Sequence, residues 1–85
     1  MKKLIVITGA SPGIGKSMAK RFNELGHPLL LIARRVEKLQ SLNLPNSICE
    51  KVNVTNREAF EAAISKAEHQ YGPVDCLVNN EGVML

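Results

Sequence analysis

Four short segments rich in apolar residues punctuate the chain, the first two of them nearly unbroken, and between them apolar positions recur at three- and four-residue spacing. The first run, Leu4-Ile5-Val6-Ile7-Thr8, is rich in β-branched residues and stops at Gly9, the pattern of a strand buried on both faces. From Gly13 onward, Ile14, Met18, Phe22 and Leu25 recur at spacings of four, four and three, which predicts a helix that Gly26 and Pro28 stop. Leu29-Leu30-Leu31-Ile32-Ala33 repeats the buried-strand pattern, and Val36, Leu39 and Leu42 mark a short second helix ending before Pro45. A third strand is expected over residues 48–52 or 48–54. Thr55-x-x-Glu58 then has the form of a capping box, in which hydroxyl and carboxylate satisfy orphan amides of a helix's first turn. The third helix so opened has Phe60, Ala63, Ile64, Ala67 and Tyr71 on its apolar face and ends at Gly72-Pro73. Residues 74–78 read as a fourth strand.

The order is therefore β-α-β-α-β-α-β. Its strands lack period-two alternation, so both faces must be covered, and a parallel sheet flanked by helices is the economical arrangement. Right-handed crossovers then constrain the topology. There is no internal repeat or low-complexity tract, only a polar loop over residues 43–47. The expectation is one α/β domain over residues 1–85.

Composition narrows the function classes. At 85 residues and 9.3 kDa there is room for one small domain, which excludes a two-domain enzyme. The net charge of +3 is spread along the chain rather than massed, which argues against a nucleic-acid partner. The longest apolar run is the five residues Leu29–Ala33, where a membrane span needs ~20, so no membrane segment and a cytoplasmic setting are expected. Cys49 and Cys76 form no Cys-x-x-Cys pair and no metal-ligand spacing, and read as reduced core cysteines; no metal site is expected.

The chemistry lies in Thr8-Gly9-Ala10-Ser11-Pro12-Gly13-Ile14-Gly15, a glycine-rich turn between the first strand and first helix. Glycine permits a tight turn, lets the backbone approach a phosphate without a Cβ clash, and leaves the first-turn amides aimed at an anion. Phosphate binding follows. Residues 10–17 also approximate a P-loop, with Gly15-Lys16-Ser17 correct and alanine at the first glycine position. A P-loop nucleotidase would organise Mg²⁺ with an acidic residue at a strand end, and neither Ile32-Ala33 nor Val78-Asn79 provides one. On the dinucleotide alternative, an acidic residue about 20 positions beyond the glycines selects NAD, whereas arginine there accommodates the 2′-phosphate of NADP. That register falls on Arg34-Arg35, with no Asp or Glu between Glu24 and Glu37. Two guanidinium groups suit a phosphate, and cations are mildly unfavourable at the positive end of the following helix unless they have such a partner.

With these residues in place the chain resembles the N-terminal half of the short-chain dehydrogenase/reductase family. Its T-G-x-x-x-G-x-G motif is matched by residues 8–15, and its D-x-L-V-N-N-A-G block is similar to Asp75-Cys76-Leu77-Val78-Asn79-Asn80-Glu81-Gly82. The resemblance covers essentially all 85 residues and looks closest to bacterial NADPH-binding members with Ala-Arg-Arg after the second strand, including the type described as a blue fluorescent protein. It implies a Rossmann-like parallel sheet of strand order 3-2-1-4, a truncated half of a doubly wound fold. In that order Cys49 and Cys76 lie three strands apart, ~14 Å and beyond disulfide reach.

The resemblance further implies that Gly9, Ser11, Gly13, Ile14 and Gly15 line the cofactor phosphates and ribose, with Arg34 and Arg35 near the 2′-phosphate of NADP(H). Asn53 and Val54 would contact adenine, where the family often has Asp-Val; the Asn53 side-chain oxygen could accept from the adenine amino group. Asn79 and Gly82 would border the adenosine ribose and the central strand end. Glu81 departs from the family's alanine, adding bulk and negative charge near phosphates. Glu81→Ala is accordingly expected to tighten NADPH binding, and equal dissociation constants for the two forms would place this carboxylate in solvent.

The family's serine and Tyr-x-x-x-Lys, in which tyrosine is the acid/base and lysine tunes it, have no counterpart here. Tyr71 lacks a lysine four residues on. No catalytic residue can be named, and this chain alone is expected to bind cofactor without turnover of a carbonyl/alcohol substrate. A strand four lacking its next neighbour would expose an apolar edge, which a longer chain or self-association would cover. The alternatives are a stand-alone nucleotide-binding or interaction module, and a P-loop nucleotidase fragment.

Overall fold

Strands that are apolar at every position need two covers, and the computed structural model, which describes residues 2–9, 14–33, 40, 44–53 and 55–79, supplies them. The elements are β1 (Leu4–Thr8), α1 (Ile14–Glu24), β2 (Leu29–Ala33), β3 (Ser47–Lys51), α2 (Arg57–Tyr71) and β4 (Val74–Asn79). The strands form one parallel sheet of order β3-β2-β1-β4, as expected. The short helix expected over residues 36–42 lies outside the described residues except for Gln40, which is helical and exposed.

Alternate residues of each central strand serve opposite faces. Ile5, Ile7, Leu29, Leu31 and Ala33 join Ala19, with Met18 and Phe22 of α1 packed alongside. Leu4, Val6, Leu30 and Ile32 join Val52 and the buried Ala63 and Ala67 of α2, with Phe60, Ile64 and Tyr71 packed against them. Burial of each such leucine or isoleucine stabilises the fold by roughly 1.5–3 kcal/mol. The unbroken apolar strands of the sequence are thus two half-cores stacked on one sheet.

Helix ends are set locally. Past α1, Gly26 has φ +96°, its N–H donates to Asn23 O at 2.9 Å, and the His27 N–H donates to Phe22 O at 3.1 Å. This is the paired 6→1 and 5→2 closure of a Schellman motif. The accompanying side-chain contact is the His27 ring edge-on to Phe22, centroids 6.0 Å apart. The His27 Nδ1 also lies 3.0 Å from Lys3 O, so this half-buried ring holds the turn together rather than standing free on the surface. Leu25, expected on the buried face, falls in this turn and is 48% exposed, while Ala19 takes the core position.

The capping box is corrected. The N-cap of α2 is Asn56, one residue later than expected, and its side chain accepts from the Ala59 N–H at 3.2 Å. Thr55 does not cap because its hydroxyl donates to Asn53 Oδ1 at 2.8 Å. At the far end Gly72, φ +92°, donates its N–H to Glu68 O, and the Glu68 carboxylate accepts from the Val74 N–H at 2.9 Å, tying the helix to the start of β4.

β4 pairs with β1 with a register shift that leaves Asp75 unmatched between Leu4↔Val74 and Ile5↔Cys76. It forms an edge of the described sheet, where Cys76 and Leu77 are exposed, Leu77 by 51%. The expectation of two core cysteines therefore holds only in part: Cys49 is half-buried, Cys76 is not, and both thiols are free. Burial, and secondarily the neighbouring Glu50 carboxylate, push the Cys49 thiol up, so it stays protonated at neutral pH.

Candidate functional site

In a parallel sheet every strand ends at the same edge, and the register shows what gathers there. Thr8 stands opposite Ile32 on one side and Asn79 on the other, and Ala33 opposite Lys51. The ends are stitched together: the Gly9 N–H donates to Ile32 O at 2.7 Å, and the Val52 N–H to Ala33 O at 3.2 Å. Between β1 and β4 the chain reverses its direction of strand addition, the switch point at which open α/β sheets form their ligand crevice.

Gly9 is the hinge of this edge. Its φ of +64° lies in the left-handed region, which a β-branched side chain adopts only at a cost of roughly 1–2 kcal/mol or more. The chain can therefore turn out of β1 immediately, and only residues 10–13 separate Gly9 from α1, so the helix begins at the strand edge. The first turn of α1 holds no acidic residue, and Lys16 and Ser17 are exposed. A helix N-terminus without a carboxylate, reached through a glycine with positive φ, fits a phosphate. Thr8 is buried, with its hydroxyl 3.5 Å from Val78 O, linking the ends of β1 and β4.

The sequence-derived site residues sort as follows. Gly9, the first residues of α1, Ile14 and Gly15, Asn53 and Asn79 all fall at the C-terminal edge of the sheet. Ser11, Gly13, Arg34, Arg35, Val54, Glu81 and Gly82 lie outside the described residues. Arg34 nonetheless follows directly on Ala33, the last residue of β2. His69 is exposed on α2 beside Ser65 and Glu68, remote in sequence from this edge. Among the described residues, no group of three or more His, Cys, Asp or Glu could hold a metal, and no helix is long and apolar enough to cross a membrane.

Asn53 brings a feature that spacing alone did not reveal. It follows Val52 at the end of β3, and its Oδ1 accepts both the Thr55 N–H at 3.0 Å and the Thr55 hydroxyl at 2.8 Å. Its backbone carbonyl accepts the Asn56 N–H at 2.8 Å, closing the turn that launches α2. The oxygen expected to accept from an adenine amino group thus already receives two donors from Thr55. Thr55 was missed as a contributor to the site. The signal was present as Asn-x-Thr before a helix, a spacing that favours an Asx turn.

A family model described as short chain dehydrogenase matches residues 3–85. The chain belongs to the short chain dehydrogenase family. Relatives agree: an uncharacterized oxidoreductase of Listeria monocytogenes is 43% identical over 88 residues, covering 96% of this chain and 36% of the relative. The NADP-dependent 3-hydroxy acid dehydrogenase of Salmonella typhi is 36% identical, covering 96% of this chain and 34% of that enzyme. Among solved structures, ElxO with NADP bound superposes with a TM-score of 0.82 at 33% identity, covering all of this chain and 37% of its own. The chain thus spans about a third of the length of the relatives it matches.

Proposed function

We propose that residues 1–85 are the N-terminal part of a single dinucleotide-binding domain, serving as the NADP(H)-holding half of a cytoplasmic oxidoreductase for a carbonyl/alcohol pair. The observation that carries this is the positive-φ Gly9 between β1 and α1, at a switch-point edge where β2 runs directly into Arg34-Arg35. Gly9, Ser11, Gly13, Ile14 and Gly15 would cradle the pyrophosphate, Arg34 and Arg35 the 2′-phosphate, Asn53 and Val54 the base, and Asn79 and Gly82 the ribose at the central strands. The bound cofactor would supply hydride; the residues here bind and orient it. NADP-bound ElxO and the NADP-dependent Salmonella enzyme support that choice of cofactor. The acid/base chemistry belongs to groups outside these 85 residues. The exposed Leu77 face of β4 suits covering by further fold elements or by a second copy of the chain, and no nucleic-acid or membrane partner is proposed.

Isothermal titration with NADPH, NADH and Mg-ATP tests this assignment, with NADPH expected to bind most tightly. Tightest binding of Mg-ATP would instead support a P-loop nucleotidase using Lys16 and Ser17. Gly9→Val should weaken NADPH at least tenfold by straining the turn and crowding the phosphate. Unaltered affinity in that variant would remove Gly9 from the site.

A further inference from the structure

β3 is an outer strand of the sheet, and a doubly wound fold adds its further strands beyond β4, so β3 stays outermost. The Leu29 N–H donates to Asn46 O and the Val52 N–H to Ala33 O, so by alternation residues 46, 48, 50 and 52 turn their backbone groups toward β2. Ser47, Cys49 and Lys51 turn theirs outward. Such a row of donors and acceptors is a template for a strand of another chain, and the simplest match is β3 of a second copy related by a two-fold axis.

The side of β3 that faces α2 reads Ile48, Glu50, Val52. Ile48 and Val52 belong to the half-core built on Ala63 and Ala67, and Glu50 lies between them. Its carboxylate accepts from the Lys66 ammonium of α2 at 3.0 Å and is only 25% exposed, against 66% for Lys66. An ion pair that still reaches water contributes little to stability, so stability does not account for a charge turned toward the core. An inward-pointing charge on an edge strand does have a use, which is to discourage strand addition. A strand docked beside β3 would strip the remaining water from Glu50. The two-fold axis would bring up the same carboxylate and ammonium again rather than a complementary partner, leaving that loss of hydration uncompensated. We infer that Glu50, held in place by Lys66, guards the free edge of β3 against pairing with a second copy of this chain, so that any assembly of the protein forms at another surface.

Sedimentation velocity on the full-length protein tests this with two variants. Glu50→Val continues the apolar row of β3, and Glu61→Val places the same group on an exposed position of α2, away from the strand edge. Between about 1 and 100 μM, where unpaired strand edges find one another, Glu50→Val should at least double the parent's weight-average mass, reversibly on dilution. Glu61→Val should sediment as the parent does. Adding Lys51→Pro to Glu50→Val removes one outward N–H while leaving the bonds to β2 in place, so the mass should return to the parent's. A Glu50→Val protein that keeps the parent's mass overturns the inference. So does association that survives Lys51→Pro, because it would then be apolar sticking and not strand pairing. The same rise and the same reversal by proline are expected of Glu50→Thr, which is uncharged, polar and strand-forming, so the outcome is decided even if the valine variant does not fold.

Discussion

Arg34→Ala or Arg35→Ala should weaken NADPH binding by about 10- to 150-fold while changing NADH affinity little, because a charge-assisted contact to phosphate is worth roughly 1.5–3 kcal/mol. The two nucleotides differ only in the 2′-phosphate, so an arginine that holds this group is felt by one and not the other. The placement follows from the sheet. β2 ends at Ala33, whose carbonyl accepts the Val52 N–H, and the preceding Ile32 carbonyl accepts the Gly9 N–H, so that strand end is fixed beside Gly9. No Asp or Glu occurs between Glu24 and Glu37 to take a ribose hydroxyl or repel a phosphate. The NADPH preference should also shrink as salt rises, since charges at the sheet edge are screened beyond about 10 Å at 0.1 M ionic strength. Calorimetric titration of both nucleotides at low and high salt checks the expectation. A variant with the parent's NADPH-to-NADH ratio would show that these guanidinium groups serve the surface and not the cofactor.

How much of this could be read from the chain depends on whether the controlling interaction was local. The central strands were legible because residues 4–7 and 29–33 are apolar at every position, which two-sided burial explains. The end of α1 was legible in Gly26, since a Schellman closure needs a positive φ at that place. At the start of α2, Thr55 and Asn56 are adjacent cap formers, and Glu58, three residues beyond Thr55, pointed to the wrong one. The decision came from Asn53, whose oxygen takes the Thr55 hydroxyl and leaves Asn56 to cap. Leu25, Cys76 and Leu77 show the opposite limit: apolar letters in an otherwise buried pattern came out exposed, because they fall in a turn and at an edge of the described sheet. The unmatched Asp75 depends on how β4 settles against β1, a long-range pairing that strand propensity does not encode. For the site, the turn at Gly9 was sequence-visible because it is fixed by chain distance from the end of β1. The capture of the Asn53 side-chain oxygen by Thr55 was not, because it needs the orientation of an amide.

Leu31→Ala should cost about 2–5 kcal/mol of stability, a large share of the roughly 5–15 kcal/mol that holds a typical domain together. Leu31 is fully buried in the second strand of the sheet, matched to Ile7 on one side and Cys49 on the other, and packs in the half-core that α1 covers. Truncation to alanine loses the transfer free energy of the side chain. The cavity left behind cannot collapse easily, because β1 and β3 hold β2 in register from both sides. A domain of this size buries only about 60–65% of its unfolded surface and has little to spare. The urea midpoint should therefore fall with the slope unchanged. The loss should also be answerable by ligand. Leu31 lies two residues before Ala33 and faces α1, whose first turn is proposed to hold phosphate, so NADPH is expected to bind the folded form alone. At a hundred times its dissociation constant it should return about 2.7 kcal/mol, restoring most of a loss at the lower end of the range. A variant that unfolds at the parent's urea concentration would move the core elsewhere. A variant whose midpoint falls but does not recover with saturating NADPH would separate the core from the cofactor edge it is expected to support.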